Sequence, residues 1–145
     1  MASTYTPIAT TTLSSSSSAV TFSSLNGSYT DLVLIVNASA STLANVGLRF
    51  NSDSGSNYSI TRLYGDGSSA SSNRSTSFTH TSGGQLDATN FNPNITHIMN
   101  YSNSTTYKTV LWRGNIPSTQ VEAAVSLWRS TSAITSITAA YFDVS

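Results

Sequence analysis

The chain has 145 residues, enough for one domain whose core needs neither metal nor disulfide staples. Ser, Thr and Asn number 30, 21 and 12, filling 63 of the 145 positions, whereas 8% of residues are charged and six basic side chains balance six acidic ones. That balance excludes the basic strip that neutralises phosphates in nucleic-acid binders and the polybasic patch of membrane-surface proteins, and the lack of cysteine excludes a disulfide framework, a thiolate zinc site and a cysteine nucleophile.

The N-terminus, Met1-Ala2-Ser3-Thr4-Tyr5, has neither the basic nor the apolar region of a secretory signal. Residues 8–13 are Thr-rich and give the first expected strand. Residues 14–18 are five serines. As a linker they make residues 1–13 an N-terminal arm; as a loop they join two strands. Further strands are expected at 19–24, 31–38, 46–51, 58–64, 76–81, 95–101, 108–113, 121–129 and 134–143. The period is two throughout. Val46, Leu48 and Phe50 alternate with Gly47 and Arg49, as do Ile95, His97, Met99 and Tyr101 with Thr96, Ile98 and Asn100. Val121, Ala123, Val125 and Leu127 alternate with Glu122, Ala124 and Ser126, the mark of strands with one face buried. Residues 32–36 are apolar at every position, which suits a central strand covered on both sides, and are too few to span a membrane.

Turn signals separate these runs. Asn26-Gly27 suits a tight turn, residues 51–57 hold Asn51, Asp53, Gly55 and Asn57, and Asp66-Gly67 opens a serine-rich stretch to Ser77. Residues 86–91 have room for one helical turn. The expected fold is all-β: a single two-sheet antiparallel β-sandwich of about ten short strands over residues 1–145.

The candidates for chemistry are few. No Gly-x-Ser-x-Gly elbow occurs. His80 is expected to tip a strand into solvent, His97 to pack half-buried, and Asp87 between them does not by itself make a triad. Asp53 and Asp66 sit in turns, where aspartates bond their own backbone, so a glycosidase pair is not indicated. Residues 51–57 carry one carboxylate and lack the glutamate of a calcium loop. Seven Asn-x-Ser/Thr sequons, at Asn26, Asn37, Asn57, Asn73, Asn94, Asn100 and Asn103, follow largely from the abundance of hydroxyl residues. Trp112-Arg113 and Trp128-Arg129 pair each tryptophan with an arginine; a tryptophan here is either core or an interface anchor. Because Leu111 and Trp112, like Leu127 and Trp128, point to opposite faces, one of each pair is expected to face outward.

Several blocks resemble a group of small bacteriophage virion proteins: Thr21-Phe22-Ser23-Ser24-Leu25, Tyr29-Thr30-Asp31-Leu32-Val33-Leu34, Leu48-Arg49-Phe50-Asn51-Ser-Asp53-Ser-Gly55-Ser-Asn57-Tyr58-Ser59 and Tyr64-Gly65-Asp66-Gly67-Ser68-Ser69. Tyr107-Lys108-Thr109 and the stretch from Trp128-Arg129 through Ala133-Ile134 to Ile137-Thr138 extend it over residues 13–138, and the block from Arg49 to Tyr58 is its strongest piece. The chain departs from the group at Leu25-Asn26, where relatives carry Ile-Pro, and at its C-terminal strand. The resemblance implies a jelly-roll-like sandwich in a virion, made in the host cytoplasm, with no catalytic residue carried over and no cofactor. The expected role is capsid decoration, as a cement protein bound to the major capsid protein or another virion protein. The alternative is a tail or head fibre module binding host glycan through exposed aromatics.

The charge deficit points to self-association, since 12 charges give little repulsion and one Lys and three Pro leave most strand edges unguarded. A homo-oligomer, a trimer, is expected, with Thr4, Tyr5, Ile8, Trp112 and Trp128 as candidate interface residues and the arm crossing to a neighbour. Because residues 51–57 hold a single carboxylate, the melting temperature is predicted not to change in millimolar calcium; a large rise in a thermal scan would refute this.

Overall fold

A computed structural model describes residues 5–117 and 119–142. The described residues form ten strands and no helix. These are β1 (Ala19–Phe22), β2 (Leu32–Ala38), β3 (Ala44–Phe50), β4 (Tyr58–Gly65), β5 (Ala70–Phe78), β6 (Thr81–Leu86), β7 (Asn92–Ile98), β8 (Lys108–Ile116), β9 (Gln120–Trp128) and β10 (Ile137–Tyr141). They build a two-sheet antiparallel sandwich, with orders β1-β10-β3-β6 and β2-β7-β8-β9-β4-β5. Without the β8–β9 hairpin, the remaining pairs β1·β10, β2·β7, β3·β6 and β4·β5 are those of a folded-over antiparallel ribbon, the jelly-roll arrangement. The hairpin is inserted between β7 and β4 and widens one sheet to six strands.

One end of the inter-sheet space is an aliphatic and aromatic core of Leu48, Phe50, Tyr58, Ile98, Tyr101, Val110, Trp128, Ile134 and Ile137. The other end is polar. Asn92 and Asn94 on β7 send their amide N–H groups to the Gln85 carbonyl, and Asn92 also reaches the Asn115 carbonyl at 2.7 Å. Beside them Glu122 of β9 accepts two bonds from Arg62 Nη2 of β4, at 2.7 and 2.8 Å, and a third from Gln120. Glycines make room for this cluster. Gly84, at φ +120°, lies against Asn94 and Trp112, and a Cβ at Gly114 would overlap Asn94 Oδ1.

Several sequence expectations need correction. Residues 8–13 belong to no strand, and residues 6–13 are exposed. The expected strand 76–81 straddles a reversal, and the serine-rich stretch before it is strand β5. Asn26-Gly27 makes no hairpin, because β1 and β2 lie in different sheets. Residues 88–90 form bends in place of a helical turn, with Asp87 Oδ1 accepting the Thr89 and Asn90 N–H groups, and the chain enters β7 at Asn92. Residues 32–36 are not central: β2 is an edge strand, with Ile35 65% exposed.

The largest correction concerns facing. On β7 and β9 the set turned inward is Asn92, Asn94, Thr96 and Ile98, and Glu122, Ala124, Ser126 and Trp128. The aliphatic set, with Val121, Val125 and Met99 exposed, is turned outward. Asn94 sets the fit of the polar end, so Gly114→Ala is predicted to lower stability by about 1–3 kcal/mol through overpacking. Chemical denaturation with unchanged secondary structure checks this; an unchanged midpoint would contradict it.

Candidate functional site

The residues singled out for chemistry hold the fold together. Asp53 lies in the β3–β4 loop, where Oδ2 accepts the Trp128 indole N–H at 2.7 Å and Oδ1 accepts the Gly55 N–H at 2.8 Å. Asn57 Nδ2 reaches both carboxylate oxygens. Burial pushes the Asp53 carboxyl up, but the bonds from Trp128, Asn57 and Gly55, with Arg49 nearby, outweigh it and hold it below the usual range. The loop carboxylate is thus already occupied by donors of the chain. Asp66 caps its own turn through the Ser68 and Ser69 N–H groups, which hold its carboxyl low. Tyr58, buried beneath this loop, has its hydroxyl pushed up to about 12, mainly by burial.

His80 is buried, not tipped into solvent. Its ring packs on Phe78 at 5.5 Å and on Phe142 at 5.1 Å, and burial, with Arg49, pulls its pKa below the ordinary value. His97 stands half-buried on the opposite, outer side of the six-stranded sheet, at a register position beside Val33 and Leu111. The two histidines therefore share no site. Among the described residues no cluster of three His, Asp or Glu groups suits a metal ion.

Trp112 and Trp128 are 1% and 2% exposed, so neither offers itself as an interface anchor. The physical reason is register. Trp112 pairs across from Thr96 and Ala124, and Trp128 from Lys108 and Tyr58, all inward positions, which sends Leu111 and Leu127 outward instead. Thr4 lies outside the described residues. Tyr5 and Ile8 are 65% and 41% exposed, and residues 6–18 are exposed throughout.

What the structure does assemble is a surface. The outer face of the six-stranded sheet places Val33, Ile35, Ile95, Leu111, Ala123, Val125, Leu127, Leu63 and Val121 in neighbouring rows. Ile35, Leu63, Val121 and Val125 are 51–65% exposed. A depression of about 200 Å³, lined by Ser59, Thr61, Thr109, Val125 and Leu127, indents it. Five strand spacings across strands of seven to nine residues give a face of roughly 600–700 Å², close to one partner's share of an ordinary protein interface. His97, Thr109, Arg113 and Thr61 stand among the aliphatic side chains of this face, the mixed apolar and polar composition of an ordinary interface.

The charges agree. Arg62 is paired inside, the buried Lys108 ammonium donates to the Thr106 and Thr131 carbonyls, Arg49 stacks on Phe142 and Arg129 bonds the Ser56 and Tyr58 carbonyls. Among the described residues this leaves Arg74 and Arg113, and their partners Thr61 and Ile95 place both on the outer face. Sequence reasoning missed the face because alternation shows that a strand has two sides without showing which is inside. Within β9 the sequence places Glu122, Ser126 and Trp128 at one parity; Asn94 and Trp112 join that set only through the ladder.

Comparison with family models, with curated proteins and with solved structures yields no match. Asp53→Ala is predicted to cost about 1–3 kcal/mol at neutral pH, the scale for a hydrogen bond to a charged group. The folded carboxyl is lowered, so this contribution is full above the unfolded pKa, near 3.9, and is lost as pH falls through the folded value. Denaturation curves of both proteins across acid pH check this; a difference that grows on acidification would contradict it.

Proposed function

We propose that the chain is a non-enzymatic structural component of a bacteriophage particle, a head decoration protein that binds the shell as a homotrimer and reinforces it. The observation that carries this reading is the uncovered apolar face of the six-stranded sheet, with Ile35, Leu63, Val121 and Val125 as its most exposed members. Burying each of these side chains against a partner is worth about 1.5–3 kcal/mol before the cost of association. Arg74 and Arg113 stand on this face without a carboxylate beside them on the paired strands, so the complementary shell surface is aliphatic and carries carboxylates. The resemblance of the block from Arg49 to Tyr58 to virion proteins supports the same class of partner. The glycan-binding fibre reading loses its strongest stacking candidates, because Trp112 and Trp128 are buried.

The double variant Leu63→Glu and Val125→Glu is predicted to keep its fold and melting temperature, since both positions face solvent in the free protein. Its binding to particles lacking the protein should weaken at least about ten-fold, equivalent to 1.4 kcal/mol. Quantitative mass spectrometry of purified particles should find hundreds of copies; a handful, or full binding by the double variant, would refute head decoration.

A further inference from the structure

The sandwich has four edge strands, and three of them are guarded against further pairing. β1 has only four residues. β5 carries Arg74 and a register shift against β4, with Ser77 at φ +62°. β6 carries Gly83-Gly84, with Gly84 at φ +120°, and a register shift against β3. β2 is different. Its seven residues, Leu-Val-Leu-Ile-Val-Asn-Ala, pair with β7 in seven consecutive steps without a bulge, and they include no charge and no proline. A long, regular aliphatic edge of this kind is a template for another strand.

The same chain carries a segment with strand-forming composition and no sheet. Residues 6–13, Thr-Pro-Ile-Ala-Thr-Thr-Thr-Leu, belong to no regular element, are exposed and are joined to β1 by the five serines. They have no charge and no glycine, and Thr and Ile favour the pleated conformation. Eight extended residues span ~27 Å and the seven of β2 ~23 Å, so the two match in length.

We propose that residues 6–13 of one copy add to the free edge of β2 in a second copy, as a seventh strand of its six-stranded sheet. Within one chain the arm departs from β1, in the opposite sheet, and leaves both partners unpaired. Between copies the contact joins two different surfaces, and such head-to-tail contacts close into rings, a trimer among them, where their rotation allows. The contact is independent of what the sheet face binds, and testing it needs no virus particle.

Full chain, a deletion of residues 2–13 and a Thr10→Pro/Thr11→Pro double variant should be compared by light scattering and amide hydrogen exchange. Alternate N–H groups of a strand face the ladder, so two adjacent prolines remove a ladder donor in either register. The full chain is expected to be oligomeric, with the free-edge amides of β2 exchanging at least about ten-fold more slowly than in either variant, and both variants monomeric. An oligomeric variant, or protection confined to another edge, overturns the proposal. A monomeric full chain with β2 protected places the arm on its own sheet and overturns it too.

Discussion

The two sheets are locked to one another through Trp128. It belongs to β9 in the six-stranded sheet, yet its ring packs edge-on against Phe50 of β3 in the other sheet at 5.5 Å and stacks on Tyr58 at 6.3 Å. The indole N–H is then spent on Asp53, in the loop that joins β3 to β4. Two residues earlier in that turn, Asn51 donates to the Ala133 carbonyl and accepts the Thr135 and Ser136 N–H groups. This fixes the approach to β10, which pairs with β3. A single loop thus ties together β3 and β10 of one sheet and β4 and β9 of the other. Its polar residues are architectural: they satisfy buried donors that would otherwise each cost 1–3 kcal/mol or so.

Away from that node the interior is polar, and this decides the surface. The Arg62–Glu122 pair and the amides of Asn92 and Asn94 occupy the inward positions of β4, β9 and β7. A strand has two sides, so filling one with polar groups sends its aliphatic neighbours to the other. Buried pairs of this kind add little net stability against an apolar filling, while losing one partner is costly. An inverted strand of this sort is unfavourable for a protein that stays alone in water, where the aliphatic set belongs inside. It is reasonable for one whose outer face becomes an interior on assembly.

The strands and the fold class were legible from period two and turn chemistry; facing and neighbours were not. β5 was hidden because Ser-Ser-Asn-Arg-Ser-Thr-Ser has no apolar alternation to show, both its faces being largely solvated at an edge. β2 reads as central because an unbroken aliphatic run means cover on both sides, and the chain alone supplies cover on one. His80 looks exposed until β10 brings Phe142 beside it, a contact 62 residues away in sequence. For the candidate site, the tryptophans were misplaced because parity within a strand says nothing until the ladder is known. Trp112 across from Thr96 and Ala124 settles it.

The scarcity of charge and the unguarded surfaces are one property. Ordinary soluble domains use lysines, bulges and short strands to keep edges and apolar faces from meeting other chains. Here those devices are present, but unevenly: β1 is short, β5 has an arginine and a bulge, and β6 has glycines and a bulge. They are missing from β2, and the rows that run from it across Ile95, Leu111, Val125 and Leu63 hold Arg113 and Arg74 as their charges. The edge and the face adjoin, because β2 borders that sheet. A general lack of charge would have left all four edges bare. The selective lack leaves bare one edge and the face it borders, and the two arginines without partners stand on that face, where they favour a carboxylate-bearing neighbour over a second copy of the same surface. As proposed, the edge would serve self-association through the arm and the face a different protein, and because the two surfaces are distinct neither contact would compete with the other.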